Sequence, residues 1–506
     1  MSINKREPWG VFFFLACFSL SEALGGLEPA AQKMLSDLGG KLTPDLVIRY
    51  ALKSSPSYVS LSSQNLIAES LRLKGSSLTE SRVYLKFGYL DERLKPLTPF
   101  GASQTVGTRY SAGFNQNFET GTLLNFEMSH GNNDFRIPTF GQFNPVESKA
   151  TLNLEQSLWQ NAFGHGTRSQ REALWLTSAA TDAGWKESKE TWFLDALQGF
   201  YSAWLAQRQY EAALKSVGRR ERLQRIVERK LSRGTSEKPD ALQVKSAYQS
   251  ARVQASQAKQ NLGDVWRELV VGLRLPDQFI EIDPAAIPME IDAPLKAAEA
   301  LCGNSSQISA PPASPAALER ARLQLEAAQQ DLAQSESESS PDLKLGVGLS
   351  ANSVSAPTGT TLEELFSAKF PSVGINLTLS VPLGNALGKS KLQQAKASLI
   401  RREAEHGISA DQVKVRWRNH CEDLYRLGQN IDWLTDALKM QTEREKLEDE
   451  RFSIGRSNTI QVIQAGDDMT DSELRLRNAE VQIRLTAWKI RRLSGDVLKT
   501  IANLEN

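Results

Sequence analysis

The chain has 506 residues, enough for two to four ordinary domains or for one elongated unit built from repeats. Its 60 Lys and Arg residues balance 59 Asp and Glu residues, which argues against nucleic-acid binding, since that needs a clustered basic surface. Cys17, Cys302 and Cys421 lack paired spacing, so the sequence indicates neither a disulfide framework nor a redox motif. The histidines form no HxxxH or HExxH pattern, and neither a metal nor another cofactor is predicted.

Residues 1-23 have the features of a secretory signal peptide. Lys5 and Arg6 precede an apolar run of about ten residues, which is too short to cross a bilayer as a helix. Cys17 follows a segment similar to a lipobox, but Phe14 stands where Leu is expected, so lipidation stays open. Beyond residue 23 no apolar run approaches the length of a membrane helix. We therefore expect a mature protein that is periplasmic, secreted or inserted as a β-barrel.

Two halves of the chain share one order of predicted elements. The first repeat, 24-275, is predicted to contain an N-terminal helix, strands at about 83-90 and 151-158, an extra hairpin at 110-130 and a helical hairpin at 167-272. A Pro/Ser-rich linker, 276-315, is predicted to connect the repeats as an equatorial segment. The second repeat, 316-506, is predicted to contain strands at about 343-350 and 373-381 and a helical hairpin at 389-502.

Matching motifs at nearly constant offsets support this duplication. The segment Asn161-Ala-Phe-Gly164 returns as Asn385-Ala-Leu-Gly388, 224 residues later, and Gly234 returns as Gly455, 221 residues later. Apolar and small residues with alternating spacings of three and four also recur in both halves, which is typical of coiled-coil helices. Helices of about 65 residues are on the order of 100 Å long, far more than a globular domain needs.

The predicted strands alternate between apolar residues and small or polar ones. Val373, Ile375 and Leu377 alternate with Gly374 and Asn376, and the other strands follow the same pattern. Segments of about nine residues with one apolar and one polar face suit tilted strands of a membrane barrel. Half-buried strands of a soluble sheet are the alternative. The sequence leaves open whether hairpin 110-130 joins the barrel or forms an extracellular flap.

The ordered motifs resemble the TolC-like outer-membrane efflux family. The segments that carry the resemblance are Leu42–Pro56, Pro341–Gly346, Val381–Gly388, and the two helix turns with Leu242-Gln243 and Ile463-Gln464 beyond them. The resemblance implies an α+β membrane protein, in which a duplicated strand–strand–helix–helix unit gives a trimeric outer-membrane β-barrel. It implies four strands per chain and a long periplasmic α-helical coiled-coil barrel. No single motif is specific, but their order and duplication are.

The resemblance also implies functional residues at the helical tips. Its periplasmic aperture falls on Gln461 and Gln464, with Asp240 and Gln243 at the corresponding positions of the first repeat. Glutamine stands where the family often has carboxylates, which weakens the expectation of a cation-binding ring. Arg456 is a candidate partner of Asp240 in a latch, although two solvated charges at helix ends explain the sequence equally well.

The two tip glycines, Gly234 and Gly455, are predicted to end the long helices. In the family the same turns contact a periplasmic adaptor of the membrane fusion type. The expected partners are therefore two further copies in a homotrimer, that adaptor, an inner-membrane transporter (RND, ABC or MFS type) and outer-membrane lipid, with no nucleic acid.

The predicted function is that of an outer-membrane channel in a tripartite efflux or type I secretion system. It is a passive duct and not an enzyme, because no nucleophile–base pair, acid pair or metal set is recognisable. The alternative is a non-channel periplasmic coiled-coil scaffold or adaptor. Drug, metal and protein cargo all remain open, since the choice belongs to the inner-membrane transporter.

Overall fold

The computed structural model of the protein describes residues 42–505 except positions 94, 96, 97, 99, 305, 306, 312–314, 356 and 357. The predicted signal peptide and Cys17 lie outside the described residues. The described chain divides into a sheet unit (Gln64–Gly184 and Ala317–Asp411) and a helical unit (residues 42–63, Trp185–Ala316 and residues 412–505). The two units are described separately.

The described residues form twelve α-helices and nine β-strands. The α-helices are α1 (Pro44–Ser54), α2 (Pro56–Leu61), α3 (Ser63–Ser77), α4 (His165–Ser232), α5 (Lys238–Leu273), α6 (Gln278–Glu281), α7 (Leu295–Cys302), α8 (Ala316–Glu338), α9 (Thr358–Phe366), α10 (Ala386–Ser453), α11 (Thr459–Leu493) and α12 (Asp496–Glu505). The strands are β1 (Arg82–Arg93), β2 (Gln104–Asn117), β3 (Thr122–Ile137), β4 (Gly141–Phe143), β5 (Val146–Ser157), β6 (Gly303–Asn304), β7 (Gln307–Ile308), β8 (Asp342–Ser355) and β9 (Pro371–Ser380). Short 3-10 turns lie at Ala162–Gly164 and Pro284–Ala286.

The predicted fold class, strands combined with long duplicated helices, is confirmed. The helices α4 and α10 each have 68 residues, in corresponding places of the two repeats. Their interiors contain no proline, so nothing removes a backbone hydrogen bond before the glycine turn at each end. No helix in the described part of the chain is both long and apolar enough to cross a membrane.

The sheet unit is built around one antiparallel sheet. Its strand order is β1-β2-β3-β5-β8-β9, with the short β4 paired to β3. The hairpin predicted at 110-130 therefore lies inside the sheet, as β2 and β3, between the first and the later predicted strands. Six long strands result, where the resemblance implies four. Neither β1 nor β9 has a second strand partner among the described residues.

The core of the helical unit is formed by α1, α4, α5, α11 and α12. Aromatic side chains of α4 and α5 occupy its centre, among them Phe193, Phe200 and Trp266, each at most 1% exposed. The indole of Trp266 donates to the backbone oxygen of Phe279 over 2.7 Å, so its polar atom is satisfied inside the core. Leu42, before α1, pairs with Met289 of the linker in a parallel bridge. The linker segment is thus fixed to the helices by backbone contacts.

Two cysteines correct the sequence-based interpretation. Cys302 at the end of α7 and Cys421 in α10 form a disulfide, with 5.6 Å between their Cα atoms, so the prediction of no disulfide is wrong. The two cysteines are 119 residues apart, and sequence spacing alone does not indicate which distant cysteines meet in the folded chain. Both residues are fully buried in a cluster with Trp417, Leu424 and Ile490. Nearby, the Trp417 indole donates to the Ser309 backbone oxygen over 2.7 Å.

Candidate functional sites

One face of the sheet carries apolar side chains on all six long strands. The pairing register aligns them in rows that cross the whole sheet, and one row consists of Val83, Phe114, Phe126, Leu152, Leu349 and Val373. Many side chains of this face are left exposed by the chain: Leu85 is 82% exposed and Ile375 is 73% exposed. A contiguous apolar surface of this extent is rare on a soluble monomer and marks contact with another protein or with lipid.

The opposite face of the same sheet is polar. The row next to the apolar row consists of Tyr84, Gly113, Glu127, Thr151, Ser350 and Ser372. Carboxylates on this face lie beside cations of nearby strands: Lys86–Glu127 at 3.4 Å, Arg109–Glu147 at 3.2 Å and Lys344–Glu155 at 3.1 Å. The polar face therefore carries charges of both signs, several of them in pairs, and suits contact with water.

Gly113 shows why small residues are needed on the polar face. The Tyr84 ring lies over Gly113, so closely that a Cβ there would overlap ring atoms. Because glycine has no Cβ, the Tyr84 ring can cross β2, and its hydroxyl donates to Glu127 Oε2 over 2.7 Å. The glycine thus permits a hydrogen bond that spans three strands.

Exposed aromatic residues flank the sheet at both ends of its strands. Phe118, Trp159 and Phe163 lie at the end where β2 meets β3 and β5 meets α4. At the opposite end the exposed aromatic residues are Phe100, Phe140, Phe143, Phe366 and Phe370. Aromatic girdles at two levels are typical of membrane barrels, where amphipathic rings lie at the interfaces with water.

The helix α9 lies against the second of these ends. It packs on β8 and β5, and Glu364 accepts a hydrogen bond from Ser353 Oγ over 2.7 Å. Leu365 is 4% exposed, whereas Phe366 beside it is 77% exposed. The helix therefore turns one apolar side chain to the sheet and one away from it.

The two predicted tip turns have the same geometry. Gly234, after α4, has φ +73° and Gly455, after α10, has φ +76°, the left-handed region in which glycine is unstrained. In the first turn the amide of Thr235 donates to the Lys230 oxygen over 2.9 Å, and in the second Arg456 donates to Arg451 over 2.8 Å. Both are the six-residue closure of a Schellman motif. The sequence repeat is therefore repeated in backbone geometry.

The predicted aperture residues lie just beyond these turns, on the first turns of α5 and α11. Gln461 and Gln464 are exposed, while the residue after each of them, Val462 and Ala465, is buried. Gln464 Nε2 donates to Asp468 Oδ1 over 2.7 Å. Gln243 Oε1 accepts a hydrogen bond from Thr459 Oγ1 over 3.2 Å, so it reaches the other hairpin.

The hypothesised latch between Arg456 and Asp240 is not formed within this chain. Asp240 Oδ2 instead accepts from Ser236 Oγ over 3.4 Å. The Arg456 side chain is exposed, and it makes no ion pair in the part of the chain that the structure describes. Any latch that uses Arg456 requires a second copy.

The tips of the two hairpins pack against each other through a small apolar cluster. Its buried members are Leu223, Val227, Val244, Phe452 and Val462. Lys230 covers one side of the cluster. Its Nζ donates to the Phe452 backbone oxygen over 2.6 Å and lies 4.1 Å from the Phe452 ring centroid. The cation satisfies a helix-end carbonyl and covers the aromatic ring at once.

A charged network near the tips was not predicted from the sequence. Arg220, with a nearly buried side chain, pairs with Asp467, and the neighbouring Arg219 pairs with Glu445 at 3.6 Å. Burial lowers the pKa of Arg219. Arg444 pairs with Asp468 at 2.7 Å. The available signal was the opposite charge of two residue pairs, Arg219-Arg220 and Asp467-Asp468, on helices expected to pack together.

No protein-family model and no curated protein matches the chain. Solved structures do. The outer membrane protein VceC from Vibrio cholerae has a TM-score of 0.64 at 13% identity, over 89% of this chain and 96% of that one. The CmeC outer membrane channel of Campylobacter jejuni has a TM-score of 0.66 at 13% identity, over 92% and 89%. The MtrE outer membrane channel of Neisseria gonorrhoeae, in its open state, has a TM-score of 0.57 at 13% identity, over 89% and 88%.

These similarities extend over almost the whole length of each protein, so they include both the sheet unit and the helical unit. At 13% identity they establish the fold and not the cargo or the partners. The resemblance drawn from the sequence motifs is confirmed at this level. The chain has the fold of the TolC-like outer-membrane channels.

Proposed function

We propose that the chain is one subunit of an outer-membrane channel, a passive export duct that catalyses no reaction. The two-faced sheet carries this proposal. Its apolar rows cross all six long strands and are left exposed by the chain, while its polar face bears balanced ion pairs. In water the exposed apolar face would favour aggregation, but in a bilayer the same face makes stable contact with lipid. The aromatic residues at both strand ends fit the two interfaces.

The open edges of the sheet support assembly with further copies. Unpaired backbone groups on β1 and β9 have no water to bind inside a bilayer, and each costs several kcal/mol there. Closure with identical chains removes both edges. We propose a homotrimer in the outer membrane, with the helical hairpins extending into the periplasm.

The helical tips are proposed as the aperture and as the contact for a periplasmic adaptor. Four apolar residues are exposed around the two glycine turns: Leu231, Leu242, Ile454 and Ile460. Exposed apolar side chains at turns of the same geometry in both repeats fit a helical hairpin of an adaptor. The aperture itself would be lined by Gln461, Gln464, Asp240 and Gln243, whose amides outnumber the one carboxylate and predict weak cation binding.

Through the adaptor the channel would connect to an inner-membrane transporter of a tripartite efflux or type I secretion system. That transporter would supply the energy and select the cargo.

Single-particle electron microscopy of the mature chain, extracted from membranes with detergent, tests the channel proposal. A hollow particle with three-fold symmetry and a long helical shaft is the expected result. Compact monomers, or protein released from the cell envelope without detergent, would contradict the barrel and favour the periplasmic scaffold.

Photo-crosslinking in cells tests the adaptor contact. A crosslinkable residue in place of Ile454, which is 66% exposed beside Gly455, should capture the adaptor. Trp433, 67% exposed in the middle of α10, is the matched control and should not. Equal capture from both sites would show that the tip has no special role in adaptor binding.

A further inference from the structure

β2 and β3 are the strands by which this sheet exceeds the four strands per chain that the resemblance implies. Both belong to the wall of the sheet, because β2 pairs with β1 from Gln104 to Asn115 and β3 pairs with β5 from Thr122 to Asn132. A flap that folds over one end of a sheet would pair over a few residues only. The hairpin instead runs the full height of its neighbours.

The hairpin also continues both faces of the sheet. Phe114 of β2 and Phe126 of β3 lie in the apolar row between Val83 and Leu152. On the polar face, Arg109 of β2 pairs with Glu147 of β5 at 3.2 Å. A hairpin that plugged a lumen would not carry an apolar face continuous with the lipid-facing surface. β2 and β3 thus have the residue pattern of barrel wall.

The number of strands permits closure with identical copies. Six is even, so β1 and β9 run in opposite directions, and rotation about an axis places β9 of one copy antiparallel to β1 of the next. Both edges present the same apolar face: Leu85 and Phe87 of β1 are 82% and 66% exposed, and Val373 of β9 is 71% exposed. Edge-to-edge pairing would continue the apolar rows around the ring.

We propose, resting on the trimeric channel above, that three copies close an eighteen-stranded barrel in which β2 and β3 widen the lumen. Barrel diameter grows about linearly with strand number, so eighteen strands give roughly 1.5 times the diameter and roughly twice the cross-section of twelve. Barrels of 16–18 strands leave an aqueous channel. The cargo class is therefore bulky and polar, with little selection by charge along the wall, since Glu127, Glu147 and Glu155 of the polar face are paired with Lys86, Arg109 and Lys344.

The test compares the native chain with a variant that lacks residues 104–143. This deletion removes β2, β3 and β4 and leaves β1 and β5 joined at the same end of the sheet by residues 94–103 and 144–145. Because two long strands are removed, the antiparallel alternation is kept. Strand number and barrel diameter are measured by electron microscopy, and the mouth is sized in planar bilayers by the largest polyethylene glycol that lowers conductance from the extracellular side.

The expected result is eighteen strands in the native barrel, a diameter about 1.5 times that of the variant, and entry of larger polymers. A native trimer with twelve wall strands and the hairpin outside the wall would overturn the inference while leaving the channel proposal intact. Absence of a hollow trimer would instead overturn the channel proposal. If the variant fails to assemble, the strand count of the native barrel still decides.

Discussion

The sheet and the helical tips place their apolar residues in opposite ways. In the sheet, Val83 and Ile375 are 76% and 73% exposed, and the charged groups lie together on the other face. At the tips, Val227 and Val244 are at most 1% exposed between the helices, and the charges surround them. One chain thus carries two inverted patterns. The proposed function accounts for this inversion, because it places lipid around the sheet and water around the tips.

Ion pairs serve different ends in the two regions. On the sheet they join strands that backbone hydrogen bonds already hold, as between Lys344 and Glu155. At the tips they join separate helices, as between Arg444 of α10 and Asp468 of α11. The tip pairs therefore contribute to how the hairpins pack, whereas the sheet pairs mainly balance charge along the polar face.

Loss of the disulfide should give the largest effect on stability. The bond lies within the helical unit, so the sheet unit is not changed directly. Replacing Cys302 and Cys421 by alanine opens a loop of 119 residues, which should cost about 2–5 kcal/mol. Alanine is chosen because the site is fully buried and a serine hydroxyl would lack a partner. We expect a lower thermal midpoint and faster proteolysis within residues 303–311.

Thiol labelling of the native chain provides the control. Denatured but unreduced protein should show no free thiol at Cys302 or Cys421, and both should label after reduction. Labelling at both positions before reduction would show that the native protein lacks this bond.

A charge on the apolar face should give the next largest effect and tests lipid contact directly. Ile375→Lys should cost about 2–4 kcal/mol if the side chain lies near the middle of a bilayer. Asn376→Lys is the matched control, because the next residue of β9 lies on the polar face. Urea unfolding in lipid vesicles and oligomer retention on unheated gels measure both. Equal tolerance of the two substitutions would mean that the apolar face does not meet lipid.

A buried carboxyl in the helical unit should make stability depend on pH. Burial raises the pKa of Glu190 from 4.5 to about 7, and Arg492 at 3.6 Å opposes the shift. Between these values the folded state holds a proton that the unfolded state has lost, so stability is highest below pH 4.5 and falls as pH rises through 7. The loss is about 3 kcal/mol at most.

Glu190→Gln should remove this dependence of stability on pH, because the glutamine amide is neutral throughout this pH range. The variant should match the native chain near pH 5 and exceed it at pH 8 in thermal unfolding of the detergent-solubilised protein. Parallel pH profiles for the two proteins would contradict the assignment. Asp195→Asn, which removes an exposed carboxylate of the same helix, is the control for a general effect of lost charge.

Much of this fold could be predicted because its helices, strands and turns are determined by short stretches of sequence. Alternation with period two marks β9, and the glycines at 234 and 455 end the long helices by backbone geometry that few other residues adopt. The duplication then linked these local signals into one architecture. Such features need only near neighbours in the chain.

Features that depend on distant contacts could not be predicted in this way. Nothing around Cys302 indicates Cys421, and the partner of Arg220 on α11 depends on how two hairpins pack. The place of β2 and β3 was left open for the same reason, since a hairpin pattern is local but its neighbour in the sheet is not. These contacts form only when helices and strands that are distant in the sequence pack together.

The smallest expected effect concerns Arg456 and decides whether the tips use a latch. Its side chain is exposed and makes no ion pair among the described residues, so Arg456→Ala should change stability by no more than about 0.5 kcal/mol. Conductance in planar bilayers should also stay unchanged. Arg220→Ala is the comparison, because it removes the partner of Asp467 between the two hairpins and should loosen the tip. Raised conductance with Arg456→Ala would instead require pairing with Asp240 of a neighbouring copy, since that pair is absent within one chain.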